Sequence, residues 1–406
     1  MLHRYNDVIL NKFSTVIYYA MLSTILLSFR GWLIVRCFIN AIFKNCIFLC
    51  FLFVSHSALA SPIKITFINP AYPNEVFWEM VTSFMQSAAN DLEIELRVLY
   101  SHQNRMNSLE IAKEILNADE KPDYLIFHFQ AQVGSHILQA AEKEKVYSFA
   151  FNTNTPKADK LDIGVPRGKY KYWLGHMFPN DENAGFLLSS ALVNKAIQEG
   201  RVDSRGKVQI IGLTGTNESR AALDRNRGLE RFTEQRSDVE LHQIVDASWD
   251  RAKANYATGI LLSRYPDTSV VWAASDEMSF GAIQMIEQKG LNPGIDMFTG
   301  GFDWTPDGLK AVKSGKMTAT IGGHFMEGAW VMVLLHDHYH GLDFAESIGT
   351  IIRSKMKVIT SSNVQPYLKM QQTMHWNNID FKSYSKKYNR KLKTYDFSLP
   401  NMPAPN

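Results

Sequence analysis

The stretch Val270–Gly308 constrains the fold more than any other part of the chain. Its two apolar runs, VVWAA and MFTGGF, each end in small residues followed by an acidic one, Asp276 or Asp303. The helix-patterned segment between them closes on Gly290, a good C-terminal stop. Strand, helix and strand in this order form the unit of a parallel sheet. Ligands bind beyond the carboxyl ends of such strands, where Ser275 and Asp303 would lie.

The rest of the chain alternates strand and helix patterns in the same way. A connector rich in Pro, Gly and Lys, 153–171, separates two sets of these elements. Right-handed strand–helix–strand units would stack the sets into two parallel sheets, which predicts an α/β fold. The predicted strands are 63–69, 94–100, 124–129, 146–152, 207–213, 239–245 and 318–321, and the predicted helices are 75–91, 108–117, 134–145, 183–199, 220–235, 250–264 and 327–340.

A targeting segment precedes these elements. Residues 44–61 read KNCIFLCFLFVSHSALAS, in which a Lys precedes a short apolar core and a small-x-small pattern follows it. That core is too short for a membrane anchor, because a spanning helix needs about 20 residues. We therefore expect residues 1–60 to be a signal segment that is cleaved after Ala60, and the mature chain to be secreted to the periplasm.

The translation start is open between two positions. The stretch 13–29 is also apolar and is separated from the next apolar run by Arg30. Either translation starts at Met21, or the amino terminus is an unusually long targeting region.

Cysteine usage and charge exclude several function classes. Cys37, Cys46 and Cys50 all precede the predicted cleavage site, so the mature chain has no disulfide, catalytic thiol or cysteine metal site. The remaining residues, 61–406, are long enough for two domains of about 100–200 residues each. A net charge of +3 and the absence of a basic arm give no support for nucleic-acid binding.

The words SDEMSFGA and GFDWTPDG resemble, almost to identity, those of the type I periplasmic solute-binding proteins that capture sugars. The resemblance covers most of residues 63–360. It implies two Rossmann-like lobes with parallel sheets, joined by a hinge and closing on a ligand between them. The implied division is a first lobe of 61–175 plus 324–360, a second lobe of 176–323 and a C-terminal extension of 361–406. It also implies a monomer with no cofactor.

The resemblance implies an aromatic sandwich for the ligand. Phe77 or Trp78 would cover one face of a sugar ring, and Trp249 the opposite face. The apolar C–H faces of a sugar can pack on an aromatic plane without competition for its hydroxyl groups. Core packing is the alternative for each aromatic residue, since large apolar side chains are usually buried.

The polar ligand contacts are also implied by the resemblance. Planar carboxylate, amide and guanidinium groups can each hold a pair of sugar hydroxyls. A helix cap is the alternative for Asp303, and a surface ion pair the alternative for Arg225. The family often has Gln or Asn where this chain has Gly322-Gly323-His324, so His324 either reaches the ligand or leaves room beside it. The implied polar contacts are Glu75, Asn152, Arg225, Ser275, Asp303 and His324.

Three other interpretations of sequence features are less favoured. His336 and His340 have the four-residue spacing of metal ligands on a helix, but they also precede Gly341, where histidines favour the negative end of the helix dipole. We therefore expect no metal. Glu75 and Asp303 would lie on opposite lobes, and no nucleophile motif accompanies them, so we expect no enzyme. The basic tail, 376–396, is expected to be solvated and to wrap a lobe, with contact to a partner or an anionic membrane as the alternative.

Two functions remain open. In one, the protein delivers a sugar to an ATP-driven membrane permease. In the other, its liganded form is read by a membrane sensor, such as a chemoreceptor, a histidine kinase or a cyclic-nucleotide-signalling enzyme. The ligand of either is a sugar or a sugar-like molecule such as the furanosyl autoinducer, and both functions require different ligand affinities in the open and closed states. Transport is favoured over signalling because it is the more frequent function in the family.

Overall fold

The computed structural model describes residues 61–373 and 378–398, together with Met21. The predicted signal segment and its cleavage after Ala60 otherwise lie outside the described residues. Within them, no helix is both long and apolar enough to cross a membrane.

The first sheet has six strands that all run parallel. Its four inner strands are rich in Ile, Phe and Tyr and are largely buried between two layers of helices, as expected of a parallel sheet, whereas the two edge strands are partly exposed. The strand order is β11-β5-β4-β3-β1-β2. These strands are β1 (Ile63–Asn69), β2 (Ile94–Tyr100), β3 (Tyr124–His128), β4 (Tyr147–Phe151), β5 (Trp173–Pro179) and β11 (Ile351–Ser354).

The second sheet repeats this arrangement with one antiparallel edge. Its order is β12-β10-β9-β8-β6-β7, and only β12 runs against its neighbour β10. These strands are β6 (Val208–Thr214), β7 (Val239–Asp246), β8 (Val270–Ala273), β9 (Phe298–Phe302), β10 (Ala319–Gly322) and β12 (Lys357–Thr360). The two sheets define two lobes, and the predicted α/β fold of two parallel-sheet lobes is confirmed.

Polar side chains begin several of the helices. Asn104, Ser219, Asp250 and Thr305 each accept a hydrogen bond from a backbone N–H of the following turn. The helices are α1 (Val76–Asp91), α2 (Arg105–Asn117), α3 (Gly134–Glu144), α4 (Lys157–Ile163), α5 (Asp181–Gln198), α6 (Arg220–Glu234), α7 (Arg251–Arg264), α8 (Asp276–Gln288), α9 (Pro306–Ser314), α10 (Glu327–Tyr339), α11 (Ala345–Ile348) and α12 (Val364–Thr373).

The chain passes between the sheets in three segments: from β5 to α5, from β10 to α10 and from β11 to β12. Asn180 N donates to Ser354 O at 3.1 Å, which joins the first segment to the third. Ser354 Oγ donates to a carboxylate oxygen of Glu327, which joins the third to the second. We refer to these three segments as the hinge.

The sheet pairing differs from the predicted lobe boundaries in two places. β5 continues through Pro179 in the first sheet, beyond the predicted limit of 175, and was not predicted as a strand. Its sequence, WLGHMFP, shows no alternation because every residue in it is buried. β12, placed with the first lobe by the prediction, pairs with β10 of the second sheet. The connector 153–171 contains a helix, α4.

Part of the C-terminal extension packs on the first lobe. Phe381 is fully buried and packs against Phe84, with ring centroids 5.4 Å apart. Phe397 stacks on Trp330 at 5.1 Å. The described part of the tail therefore wraps the first lobe as expected: Ile379, Phe381 and Tyr395 enter its apolar core, while most of the segment's other residues are partly or fully exposed.

Candidate functional site

Arg225 lies at the centre of a buried polar group between the lobes. Its Nε donates to Asp181 Oδ1 and its Nη1 to Ala274 O, both at 2.7 Å. Its Nη2 donates to His324 Nε2 at 3.2 Å, and Nη1 lies 3.9 Å from Asp303 Oδ1. We call Asp181, Arg225, Asp303 and His324 the Arg225 cluster. Each is less than 10% exposed, so the surface ion pair considered for Arg225 does not occur.

Two aromatic rings shape the surroundings of this guanidinium. Arg225 Cζ lies 4.2 Å from the ring centroid of Phe302 and 5.7 Å from that of Trp249. A cation above an aromatic face is attracted by the ring quadrupole, which holds the guanidinium in place. Trp249 is only half-buried, so its ring presents surface at the edge of the cluster.

Gly215 makes room for Trp249. A Cβ atom at residue 215 would lie 1.9 Å from Trp249 Cε2. Since no such contact is possible, a larger residue there would displace the indole ring. The residue type at 215 therefore controls the position of Trp249.

Strained backbone marks the strand ends at this site. Asn152, Trp249 and Asp303 have φ values of 68°, 62° and 108°, in a region that residues other than glycine seldom adopt. Such strain persists only where the surrounding structure enforces it, and it concentrates at functional sites. All three residues follow the carboxyl ends of parallel strands, where α/β proteins bind ligands.

Asp303 is held by its strand and not by a helix cap. Its backbone N–H donates to Ile321 O at 2.9 Å, while Thr305 Oγ1 accepts from Gly308 N and caps α9. Burial raises the pKa of Asp303 to about 7, opposed by the nearby Arg225 charge. The cap alternative for Asp303 is therefore wrong, and its carboxyl group remains available to a ligand.

His324 is neutral and fixed in one tautomer. Burial, followed by the Arg225 charge, lowers its pKa well below the usual value. Because Nε2 accepts from Arg225, the ring proton lies on Nδ1, which has no hydrogen-bond partner among the described residues. Phe77 stacks on the ring with centroids 4.7 Å apart. His324 thus points a buried donor without a partner into this region.

The first lobe contributes aromatic and amide groups. Trp78 is half-buried and meets His128 edge to face, with ring centroids 5.4 Å apart. Asn152 is 7% exposed, and its Nδ2 has no partner within the described part of the chain. His128 ends β3 beside Asn152 at the end of β4. Burial lowers the pKa of His128 to about 3, so it is a neutral hydrogen-bonding group.

Two of the predicted contacts have other partners in the structure. Glu75 Oε1 accepts from Tyr72 N and from Gln103 Nε2, both at 2.8 Å, which fixes the loop before α1. Ser275 Oγ accepts from Met278 N at 3.2 Å and caps α8. Neither residue contacts the Arg225 cluster through a described hydrogen bond, so their ligand contacts remain predictions.

Two residues of this region were missed from the sequence. Asp181 follows β5, the unpredicted strand, and its partnership with Arg225 depends on the hinge. Glu327 begins α10 and is 1% exposed, and its Oε2 has no partner in the described residues. Burial raises its pKa to about 8. A single sequence signals neither, because both follow from where the three hinge segments meet.

Two other places in the structure are less suited to a ligand: the histidines near the end of α10 and a depression on the second lobe. His340 Nδ1 bonds its own helix at His336 O, 2.8 Å away, and no group of acidic, histidine or cysteine residues in the described chain could hold a metal ion. A shallow depression of about 540 Å³ on the second lobe is lined by residues of α7 and α8 without any aromatic ring: Ala252, Asn255, Gln284, Glu287 and Gln288.

Comparisons with known proteins agree with this geometry. The model of the family described as periplasmic binding protein domain matches residues 65–341. A periplasmic sugar-binding protein of Pseudomonas fluorescens has a solved structure that is 31% identical, with a TM-score of 0.72 over 80% of this chain and 94% of that one. The ribose import binding protein of Salmonella typhimurium is 26% identical over 61% of this chain and 75% of its own length.

A third relative shares the fold at lower identity. The arabinose-transporter binding protein of Shewanella sp. ANA-3, solved with L-arabinofuranose, is 19% identical with a TM-score of 0.65 over 78% of this chain and 98% of that one. One assignment follows from the type I architecture of two lobes, the family match and the buried cluster between the lobes. The chain belongs to the periplasmic binding protein domain family, among its type I sugar-binding members.

Proposed function

We propose that this protein captures a sugar or sugar-like molecule between its lobes in the periplasm and delivers it to an ABC transporter. The observation that carries the proposal is the buried Arg225 cluster beside Trp249. It combines a fixed guanidinium, a carboxyl group, a neutral imidazole donor and an exposed aromatic face. These are the groups that hold paired hydroxyls and pack on a sugar ring.

The predicted ligand contacts divide between the two lobes. Phe77, Trp78 and Asn152 come from the first lobe, and Arg225, Trp249 and Asp303 from the second, with His324 on the hinge. The lobe rims approach one another at Arg105 and Glu218, whose charged atoms lie 3.9 Å apart. A ligand held from both sides would favour the closed arrangement by the difference in its affinity for the two states.

Transport is preferred over signalling because the matched relatives include binding proteins named for ribose import and for an arabinose ABC transporter. A membrane sensor that reads the closed form is the second candidate. Copurification with a permease or with a sensor kinase distinguishes them, since each partner would bind the liganded form in preference.

A thermal-shift screen tests ligand binding. The panel contains pentoses, hexoses, sugar alcohols, the furanosyl autoinducer and, as a control class, amino acids. A ligand at 100 times its Kd adds about 2.7 kcal/mol of stability. We expect a shift with one sugar class, and its loss in both Trp249→Ala and Gly215→Ala, because each change removes the ring from its position. A shift with amino acids and none with any sugar-like compound would contradict the proposal.

A further inference from the structure

Two carboxyl groups, of Asp181 and Asp303, lie within 4 Å of the Arg225 guanidinium at the junction of the lobes, and a third, of Glu327, is buried near enough to be influenced by their charges. Asp181, Asp303 and Glu327 are 3%, 7% and 1% exposed, and Arg225 is 4% exposed. Among the described residues, Arg225 is the only cation within 4 Å of any of these carboxyl groups. His324 lies within the same distance of Asp303 but is neutral. Arg220 influences Asp181 at longer range, but its own guanidinium is paired with Asp224.

The neighbouring charged groups do not correct this imbalance. From α8, Glu277 lies near Asp303 and adds negative charge, whereas burial raises the pKa of Asp276 well above its ordinary value. Asp276 has donors of its own, because its oxygens accept from Thr305 and Thr320. Asp181 and Glu327 each have one oxygen that accepts a hydrogen bond, from Arg225 Nε and from Ser354 Oγ respectively, and one that does not. The described residues therefore leave this buried region with more acidic groups than cations.

Two of the carboxyl oxygens are buried and have no partner. Asp181 Oδ2 and Glu327 Oε2 make no hydrogen bond to any described group. An ionised carboxylate buried without a partner is strongly unfavourable. Consistently, burial raises the pKa values of all three groups: that of Asp303 to about 7, that of Glu327 to about 8, and that of Asp181 above its ordinary value.

We propose that the ligand of this cleft carries an ammonium group, as an amino sugar does, and that Asp181, Asp303 and Glu327 receive it. An ammonium offers three donors and one positive charge, which match unpartnered acceptor oxygens in an acidic environment. Neutral sugar hydroxyls could bond the protonated carboxyl groups, whereas an ammonium would also supply the positive charge that allows these groups to ionise. The inference rests on the proposed function and narrows its ligand class.

Matched ligand pairs test the inference. Calorimetric titrations at pH 6.5 compare D-glucosamine, D-galactosamine and D-mannosamine with their parent hexoses and their N-acetyl derivatives. We expect at least one hexosamine to bind 10-fold or more tightly than both its parent and its N-acetyl form. Binding should also release protons, so that the measured heat depends on the ionisation enthalpy of the buffer, because a nearby cation lowers the carboxyl pKa values.

Two variants of Glu327 test whether the preference for an amine depends on this carboxyl group. Glu327→Gln should reduce the amine-over-neutral ratio severalfold, whereas Glu327→Asp, which keeps the charge, should retain most of it. Thermal melting checks that both variants fold. Preferential or equal binding of a neutral sugar would overturn this inference and leave the proposed function intact. If neither a hexosamine nor any sugar-like compound of the thermal-shift panel bound, the proposed function itself would be rejected.

Discussion

At the scale of single residues, the site depends on one buried guanidinium that has several partners. Arg225 bonds Asp181, Ala274 and His324 and contacts two aromatic rings. Its position was predicted from the resemblance, but its partners were not, because they come from a different helix, strand and hinge segment. The sequence shows which residue types occur at strand ends; it does not show how three-dimensional packing pairs them.

Loss of the Arg225 side chain should affect both stability and binding. Arg225→Ala leaves Asp181 buried without a cation, and breaking a buried pair in this way costs about 3–5 kcal/mol. We expect this loss in the free energy of unfolding by urea denaturation, together with loss of ligand binding. Arg231→Ala is the control, since Arg231 is half-exposed and pairs with Glu182 at the surface. Equal effects of the two changes would contradict a central role for Arg225.

The raised pKa of Glu327 predicts a pH dependence of stability. Its pKa rises from 4.5 to about 8 on burial, so the folded protein holds this proton where the unfolded chain has released it. Folded protein then binds more protons than unfolded protein, and stability falls as pH rises towards 8. The buried histidines act in the opposite direction just above pH 6.5, because their lowered pKa values keep them neutral in the folded state while unfolded histidines are still partly protonated. Their contribution is shared by wild type and Glu327→Gln, so the comparison of the two isolates that of Glu327.

Chemical denaturation at pH 6.5 and pH 8.5 measures this dependence. We expect wild-type protein to lose about 1–2 kcal/mol more than Glu327→Gln across the interval, at 1.36 kcal/mol per pKa unit for one group. Glu327→Gln cannot ionise and should lose less. An identical pH dependence in wild type and variant would show that Glu327 does not hold its proton in the folded state.

At the scale of elements, the alternation of strand and helix was predictable and the hinge strands were not. β1 and β2 have the predicted bounds because their apolar runs are flanked by polar turns. β5, β11 and β12 were missed. β11 and β12 have four residues each and are only partly buried, so they lack the continuous apolar run by which the equally short β8 was recognised.

A buried carboxylate accepts several of the hydrogen bonds that join the C-terminal segment to the first lobe. Asp337 on α10 is fully buried and accepts from Lys386 N at 2.6 Å, from Tyr395 OH at 2.9 Å and from Ser385 Oγ. These donors outweigh the cost of burial and lower the pKa of Asp337. The expected wrapping of a lobe is found for this segment, and its aromatic residues contribute to the packing.

Asp337→Ala should release this segment from the lobe. Three donors of the segment lose their common acceptor, at a cost of about 1–3 kcal/mol for buried groups left unsatisfied. Limited proteolysis should then cut within residues 378–398 faster than in wild type. Asp396→Ala is the matched control, since Asp396 is exposed on the same segment. Unchanged proteolysis of the Asp337 variant would show that the aromatic contacts alone hold the segment.

At the scale of the whole molecule, two similar sheets place their ligand-facing edges on either side of a hinge. The resemblance predicted this architecture. It could not predict Asp181 and Glu327, because their burial results from the meeting of three hinge segments. The acidic character of the cleft is therefore a property of the assembled lobes, and it bears on which ligand fits between them.

A crystal structure with a ligand from the sugar panel tests the central claim most directly. We expect electron density for the ligand between the lobes, with a polar atom within about 3 Å of Arg225 or Asp303 and its ring against Trp249. Density for the ligand outside the cleft, with Arg225, Asp303 and Trp249 free of it, would contradict the assignment of this cluster as the binding site.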